Sequence, residues 1–351
     1  MTTTLSRRAL NRATLARQFL LERRAIGALE AIEHLGGMQS QAPLAPYVGL
    51  WSRLTGFAPA ELSALTEGRQ VVRAHLMRTT VHLVSARDCR NWYAHFHRRK
   101  AAAFGPHLRG LSASLDEVRA EATRLLDERP RTRAELGRLL AERWPGDDPS
   151  ALSFAAAQQV AICQVPPRGV WGRTGPAAWT TIETWLGEPL HTTPLDDLVL
   201  RGLGAFGPAS VADLQVWSGL TRLSEVVARL PLRKFKTETD QIVYDLPAAP
   251  RPGEDVPAPP RLLPEYDNLL LSHQDRSRVN PANRRVPLPP GNGATTGTFL
   301  VDGGWEGTWQ LRDGRLRLHP YAKIDLDPLL PEAESLCAWL APGADVEVVM
   351  P

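Results

Sequence analysis

Apolar residues recur at helical spacing in three stretches of the chain, and each stretch predicts a pair of helices joined by a tight turn. In the first stretch, Leu15 and Phe19 would share one helical face, and Ile26 and Ile32 would lie on the face of a second helix. Gly36 follows the second helix, in the place where a left-handed glycine commonly ends one. The alternation in VVRAHLMRTTVHLV then predicts strands, so the stretch is a helix pair followed by β-structure.

The second stretch repeats that order. Thr132 and Glu135 form a T-x-x-E capping box ahead of an apolar helix. The run SALSFAAAQQVAICQ predicts another helix, and RGVWGRTGPAAW predicts a strand and a turn.

The third stretch has the clearest pattern. In GPASVADLQVWSGLTRLSEVVARL, Ser210 and Asp213 begin one helix and Gly219 marks the turn to the next, as in a helix-turn-helix. LRKFKTETDQIVYDLP follows with two β-like halves around Thr239-Asp240, which is the pattern of the wing in a winged helix. Such a unit serves either packing or DNA binding, and three in tandem favour DNA binding.

A proline-rich connector, LPAAPRPGEDVPAPPRLLP, precedes a β-rich tail. In the tail, NLLLSH, GTFLVDGGWEGTWQLRDGRLRLHP and DVEVVM predict strands, with turns at Asp302-Gly303 and Asp313-Gly314, and LDPLLPEAESLCAWLA predicts a late helix. We therefore predict an α+β fold with three tandem winged helix-turn-helix units and a β-rich C-terminal region, at residues 1–110, 111–190, 191–250 and 251–351.

Composition and charge narrow the class of protein. The chain has 43% apolar and 23% charged residues, no signal-peptide pattern and no apolar run of transmembrane length, which predicts a cytoplasmic protein. Residues 1–110 carry 16 Lys and Arg against 6 Asp and Glu, although the whole chain has a net charge of only +3. A concentrated basic region favours a polyanionic partner such as nucleic acid, and a solvated arginine-rich face is the alternative.

Common cofactor and metal motifs are missing from the sequence. The three cysteines are far apart and outside any C-x-x-C pattern, so they predict neither a disulfide framework nor a cysteine-based metal site. The G-x-G-x-x-G match in GLGAFG follows a helical pattern rather than a strand, so it does not predict a dinucleotide site. We expect neither a metal nor a nucleotide cofactor.

The segment LGGMQSQAPLAP contains two neutral amides, Gln39 and Gln41, one residue apart. A Gly-Gly pair stops the preceding helix, and Pro43 and Pro46 are expected to prevent it from resuming. In an extended segment, residues i and i+2 point to the same side, so both amides should project together. The alternative is a polar loop with an accidental repeat.

Two further groups of polar residues could accompany the amides. If LMRTTVHLV is one strand, Arg78, Thr80 and His82 lie on the same face, which would be a cationic surface for a ligand; a structural, buried His82 is the alternative. The segment PEYDNLLLSHQDRSR contains a dense group of ionisable residues: Asp267, His273, Asp275, Arg276 and Arg278. They would form a salt-bridge network, or Asp267 and His273 would line a cleft. Trp305 and Trp309 share a strand face, which favours core packing over base stacking.

Five elements, in this order, resemble the tandem winged-helix family of the azinomycin-resistance DNA glycosylases of the AlkZ type: MQSQAP, LMRTTVHLV, PPRGVWGRTG, LLPEYDNLLLSHQDRSR and LVDGGWEGTW. The resemblance covers nearly the whole chain. It implies three winged helices that form a basic concave surface for duplex DNA. It also implies hydrolysis of the N-glycosidic bond of bulky alkylated purines, including interstrand crosslinks.

The resemblance also implies particular residues. The family's catalytic Gln-Φ-Gln motif falls on Gln39, Ser40 and Gln41, where Ser40 departs from the pattern because serine is not hydrophobic. A related branch has an acid at the second position, so Gln41 favours crosslink resistance of the kind that antibiotic producers need. The family's DNA-probing hairpin would correspond to VNPANRRVPLPPGNGATTGTFLVDG, with Arg284 and Arg285 on its arm and Gly291-Asn292-Gly293 at its tip.

We therefore predict a monomeric, monofunctional DNA glycosylase that acts on double-stranded DNA with N7-alkylguanine-type adducts. Such a base is already a cationic leaving group, so two amides can suffice to place water and stabilise charge. No lysine lies near the two glutamines to suggest a lyase step. The alternative is a non-catalytic winged-helix regulator or drug-sequestering protein, although no heptad pattern suggests the dimer that a regulator usually forms.

Overall fold

The computed structural model describes residues 3–104, 110–286 and 296–350. The chain divides into two compact units. Unit 1 contains Met1–Ala58 and Leu195–Pro351, and unit 2 contains Pro59–Pro194. The fold is mixed α+β. Residues 1–110 contribute to both units, and the division into four parts stays a prediction.

Unit 1 begins with β1 (Thr4–Leu5), α1 (Arg7–Arg17), α2 (Ala28–His34), β2 (Met38–Gln39) and α3 (Ala45–Trp51). Ser6 caps α1 by accepting a hydrogen bond from the Ala9 N–H, 3.0 Å away. The helix ends at Arg17, and Phe19 has a left-handed φ of 57°. The prediction that Leu15 and Phe19 share a helical face was therefore wrong, because the chain leaves the helix between them.

Unit 2 follows with α4 (Pro59–Glu67), β3 (Val71–His75), β4 (Val81–Ser85), α5 (Ala86–Phe104), α6 (Leu115–Glu128), β5 (Arg131–Thr132), α7 (Arg133–Arg143), α8 (Pro149–Gln159), β6 (Ile162–Val165), β7 (Ala178–Thr181) and α9 (Ile182–Leu186). The strands of this unit lie in the order β4-β3-β6-β7-β5, and their pairs are antiparallel. Apolar residues of α6, α7 and α8 pack into one core, which includes Leu126, Leu136 and Leu152.

Two predictions for unit 2 need correction and one is confirmed. LMRTTVHLV is not a continuous strand, because Met77–Thr79 form a 3-10 turn in which Arg78 has a left-handed φ of 54°. The helix predicted for SALSFAAAQQVAICQ ends at Gln159, since its last residues form β6. The cap at Thr132 is confirmed: its hydroxyl oxygen accepts from the Glu135 N–H at 3.2 Å.

The chain then returns to unit 1 with α10 (Leu195–Phe206), α11 (Val211–Ser218), α12 (Leu223–Arg229), β8 (Arg233–Thr237), β9 (Ile242–Asp245), β10 (Arg261–Leu263), β11 (Gly297–Val301), β12 (Gly304–Arg312), β13 (Arg315–Pro320), α13 (Leu330–Leu340) and β14 (Asp345–Val348). One sheet has the order β1-β8-β9 and another has the order β10-β11-β12-β13-β14.

The helix pair and hairpin predicted after residue 208 are present as α11, α12, β8 and β9. Ser210 and Asp213 form a reciprocal capping box, and Gly219 ends α11 with a left-handed φ of 76°. Asp240, also left-handed at a φ of 59°, lies between the two strands of the hairpin. The local signals in the sequence therefore placed these elements correctly.

The C-terminal strands form around two Asp-Gly turns, as predicted. Asp302-Gly303 and Asp313-Gly314 have positive φ at both residues, which suits tight hairpin turns. Trp305 and Trp309 are buried, so core packing is confirmed for them. The strand predicted at NLLLSH was wrong: Asn268–Leu270 form a 3-10 turn, because a short apolar run does not distinguish a strand from a buried helical turn.

Within the part of the chain that the structure describes, no helix is both long and apolar enough to cross a membrane.

Candidate active site

The segment that carries the two glutamines leaves α2 through two left-handed glycines. Gly36 and Gly37 have φ values of 65° and 90°, and their N–H groups bind the carbonyls of Glu33 and Ile32 at 3.1 and 2.9 Å. This pair of bonds is a Schellman motif, which satisfies the last carbonyls of the helix. The motif turns the chain sharply into β2, which ends at Gln39.

Burial separates the three residues of the Gln-x-Gln motif. Gln39 is 7% exposed and Ser40 is fully buried, whereas Gln41 is partly exposed. The expectation that Pro46 prevents a helix was wrong, because Pro46 lies in the first turn of α3, where its missing N–H costs nothing. The prediction that Gln39 and Gln41 project to the same side stays a prediction.

A small cavity in unit 1 adjoins Gln39. Its volume, as the space open to the centre of a water molecule, is about 20 Å³, which is enough for one water and far too little for a purine. The cavity is lined by residues of β2, α3, α10, the loop after β10 and the segments that follow α1, α2 and α3: Gln18, Leu35, Gly37, Met38, Gln39, Ala45, Arg53, Phe206, Pro264, Tyr266, Asp267 and Asn268. Gln39 and Asp267, both predicted site residues, are therefore brought to the same cavity.

Asp267 forms a buried ion pair with Arg53. The Arg53 Nη1 and Nη2 atoms donate to the two carboxylate oxygens of Asp267, each at 2.9 Å. Arg53 also donates to the Gln18 Oε1 at 3.1 Å. The pattern of apolar residues did not reveal Arg53 or Gln18 as site residues; the available signal was an arginine directly after the apolar helix APYVGLW, since buried arginines are nearly always paired.

His273 lies beside the cavity lining but is fully buried. Its Nε2 is 3.0 Å from the carbonyl oxygen of Phe206 and donates a hydrogen bond to it, and its Nδ1 has no hydrogen-bond partner among the described residues. Burial, together with the charge of Arg278, lowers the pKa of His273 to about 4. His273 is therefore a neutral imidazole at neutral pH.

The other polar residues of this region differ in their surroundings. Arg284 donates to the Trp305 carbonyl at 2.8 Å and pairs with Glu306 at 3.4 Å, so its guanidinium is held by protein groups. Arg276 is partly exposed and Arg285 is exposed. Residues 287–295 of the predicted hairpin, which include its tip at Gly291-Asn292-Gly293, lie outside the described residues.

In unit 2, the structure brings Arg78 and His82 together across the 3-10 turn rather than along a strand face. The Arg78 Nη2 lies 3.3 Å from the His82 Nε2, and the His82 Nδ1 lies 3.1 Å from the carbonyl oxygen of Thr80. Because a guanidinium can only donate, the His82 Nε2 accepts and the proton is on Nδ1. His82 is fully buried, which agrees with the structural alternative for this residue.

Much of the positive charge at the start of the chain is neutralised inside unit 1. Arg17 pairs with Asp245 at 2.7 Å, and both side chains are fully buried. Five arginines of residues 1–58 bind acids from residues 195–351, in the pairs Arg8–Asp302, Arg12–Asp302, Arg17–Asp245, Arg23–Glu332 and Arg53–Asp267. Positive charge is therefore less segregated in the folded unit 1 than it is along the sequence.

Comparisons with known proteins agree on the class of protein to which this chain belongs. The structure of Streptomyces sahachiroi DNA glycosylase AlkZ matches with a TM-score of 0.76 over 99% of this chain and 100% of that chain, at 19% sequence identity. No curated protein sequence matches the chain. The fold is therefore that of an AlkZ-like DNA glycosylase. The family model described as DNA glycosylase AlkZ-like matches residues 32–339, and the chain belongs to this family.

Proposed function

We propose that this protein is a monofunctional DNA glycosylase that hydrolyses the N-glycosidic bond of bulky N7-alkylguanine-type adducts in duplex DNA. Gln39 and Gln41 would be its catalytic residues. The observation that carries the proposal is the position of Gln39, in a chain of this family, at a cavity with room for one water molecule.

The substrate chemistry explains why amides can suffice. Alkylation at N7 gives guanine a positive charge, so the C1′–N9 bond breaks with its electron pair moving onto the base, which leaves as a neutral molecule. Water forms the new bond to C1′, and its proton passes to solvent. The reaction needs stabilisation of the oxocarbenium-like sugar and placement of the water, and it needs little acid catalysis.

Each glutamine can contribute dipoles to that transition state. A Gln carbonyl oxygen can accept a hydrogen bond from the attacking water and face the positive sugar, while the amide NH₂ can donate to a sugar or phosphate oxygen. The low exposure of Gln39 strengthens such dipoles because little water screens them.

The size of the cavity supports tolerance of bulky adducts. An enzyme that binds a flipped base in a closed pocket is limited by the volume of that pocket. Here about 20 Å³ next to Gln39 cannot hold a base, so the adduct would remain outside the cavity. We extend the proposal to the unhooking of interstrand crosslinks and to self-resistance against a DNA-alkylating natural product.

The DNA contacts in this proposal come from three tandem winged helices, at residues 1–110, 111–190 and 191–250, and from Arg78, Arg276, Arg284 and Arg285. His82 and His273, which the sequence also suggested, are too deeply buried to contact DNA. Arg276 and Arg285 are the better candidates for phosphate contacts, since neither makes an ion pair with a residue in 3–104, 110–286 or 296–350. We propose a monomer that acts in the cytoplasm.

The proposed activity is tested with duplexes that carry N7-methylguanine, a bulky N7 adduct or an N7–N7 crosslink. We expect release of the modified base from each duplex, seen as alkali-labile abasic sites, and uncrosslinked strands on a denaturing gel. A protein that binds DNA without base release from any duplex would instead be the non-catalytic regulator or sequestering protein.

Substitution of the two amides tests their role. Gln39→Ala and Gln41→Ala should each lower the single-turnover excision rate by about 10²-fold, which is typical for loss of one preorganised dipole at a reacting centre. Gln274→Ala, which removes an exposed amide of the same unit, should excise at the wild-type rate. Full excision by folded Gln39→Ala and Gln41→Ala proteins would refute the proposed site.

A further inference from the structure

Behind the cavity, the Arg53–Asp267 pair is almost completely satisfied by protein groups. The two side chains are 2% and 3% exposed. Arg53 Nη1 also donates to the Gly49 carbonyl at 3.0 Å, and Asp267 Oδ1 also accepts from the Leu269 N–H at 2.9 Å. Both carboxylate oxygens of Asp267 therefore already accept hydrogen bonds from protein groups, which leaves Asp267 held in place within this network.

The network around this pair reaches the two residues that precede Gln39. The Asn268 side chain, next to Asp267, donates to the Gly37 carbonyl at 3.3 Å. Gly49 lies where Met38 and Arg53 meet: a Cβ built on Gly49 would overlap the Met38 Cε and would lie 3.6 Å from Arg53 Nη1. The backbone before Gln39 and the side chain of its neighbour are therefore both held by groups of this network.

Unit 1 contains a second buried arginine–aspartate pair, Arg17–Asp245, which provides a comparison, although Asp245 also binds Arg251. Arg17 binds Asp245 through two bonds of 2.7 and 2.9 Å, and both side chains are fully buried. Neither Arg17 nor Asp245 lines the cavity at Gln39. If the buried pairs of this unit contributed to stability alone, loss of either pair would have the same effect on the rate of catalysis.

We infer that the Arg53–Asp267 pair is a positioning element for the proposed reaction. It holds the Gln39 amide and the water in the adjacent cavity in the geometry needed for attack on C1′, and it does not itself accept a proton. Gln18 belongs to the same element, because it lines the cavity and its Oε1 accepts from Arg53 Nη2. The inference rests on the proposed glycosylase function and adds residues to its site.

The test compares Asp267→Asn with Asp245→Asn in the full chain. Each change removes one charge from a buried pair, so both should lower the Tm. At a temperature where both proteins are folded by circular dichroism, Asp267→Asn should lower the single-turnover excision rate about 10- to 100-fold, with the Kd for adduct DNA within about twofold of wild type. Asp245→Asn should leave the rate within about twofold of wild type.

The pH profile separates positioning from proton transfer. Asp267 as a positioning residue predicts the same flat profile between pH 6 and 9 for wild type and for Asp267→Asn. A wild-type rate that followed the titration of one carboxyl, with loss of that dependence in Asp267→Asn, would overturn the inference. Equal rates for Asp267→Asn and wild type, or equal losses for Asp267→Asn and Asp245→Asn, would also overturn it.

Gly49→Ala keeps the inference testable if Asp267→Asn does not fold. Its new Cβ meets mainly the flexible end of Met38, so the fold should tolerate it, but Met38 must move next to Gln39. We expect at least a fivefold slower excision, whereas Gly204→Ala, whose Cβ would meet only the Leu246 side chain at 3.8 Å, should retain the wild-type rate. An unchanged rate in folded Gly49→Ala would contradict the inference.

The same experiments distinguish failure of the inference from failure of the function. If wild type and both Asp variants excise equally, only the positioning role is wrong. If wild type releases no base from any duplex, the proposed function is wrong and the inference falls with it.

Discussion

At the scale of single residues, burial determines which ionisable groups can do chemistry. His273 was a candidate for the cleft because it is a polar residue in a dense ionisable segment. In the structure it is a neutral imidazole bound to the Phe206 carbonyl. Its burial could not be read from SHQDRSR, because the residues that enclose it come from other parts of the chain.

The lowered pKa of His273 makes the stability of the protein depend on pH. The unfolded chain binds a proton near pH 6.5, whereas the folded chain binds it only near pH 4. The free energy of unfolding should therefore have its full value above pH 6.5 and should fall by about 3 kcal/mol as the pH drops to 4. Urea unfolding at several pH values measures this loss.

His273→Gln is the matched variant, because glutamine can still donate to the Phe206 carbonyl and does not titrate. Between pH 7 and 4.5, this variant should lose about 2 to 3 kcal/mol less than wild type. Parallel pH profiles for the two proteins would mean that His273 does not carry the dependence.

At the scale of elements, the sequence predicted structure well where the signal was local. Gly36, the cap at Ser210 and the two Asp-Gly turns act through neighbouring residues and were found as predicted. At Thr132 only half of the predicted capping box is present, because the Glu135 side chain binds Arg129 and Arg131 instead. The failures occurred at Phe19 and Arg78, where a non-glycine residue is left-handed. No residue type marks such a position reliably, so α1 and the β3–β4 turn were misplaced.

The two Asp-Gly turns predict different responses to the same substitution. Gly314→Ala should cost about 1 kcal/mol, because its φ of 69° is unfavourable for alanine but nothing lies within 4 Å of the new Cβ. Gly303→Ala should cost about 3 kcal/mol, because its Cβ would also lie 2.5 Å from Asn11 Oδ1 and 2.7 Å from Leu15 Cδ1. Chemical denaturation of the two variants measures the difference between their free energies of unfolding. Equal losses would show that α1 moves to make room for the new Cβ.

At the scale of the whole molecule, the largest surprise is the discontinuous unit 1. The sequence pattern suggested successive segments, whereas residues 1–58 and 195–351 form one compact unit although unit 2 separates them in the sequence. Sequence spacing could not predict this, because pairs such as Arg17–Asp245 join residues 228 positions apart. The candidate site also brings together distant parts of the sequence. Gln39 was predicted from the sequence, whereas only the fold shows that Arg53 binds Asp267.

This organisation predicts how fragments behave. Residues 59–194 are continuous and contain their own core, so this fragment should unfold cooperatively by itself. Residues 195–351 should not fold alone, because Asp267 would be buried without Arg53 and Asp245 would keep only Arg251, at a cost of about 3 to 5 kcal/mol for each broken pair. Circular dichroism and amide exchange measure both outcomes; a stably folded 195–351 fragment would contradict this account.

The distance in sequence between paired residues also has a consequence during translation. Arg12 precedes its partner Asp302 by 290 residues, which a ribosome takes roughly 15 to 60 seconds to synthesise. Throughout that interval Arg8 and Arg12 lack the carboxylate that both bind in the folded protein, while residues 59–194 are completed and free to fold. We therefore expect newly made protein to have no working centre at Gln39 until nearly the whole polypeptide has left the ribosome.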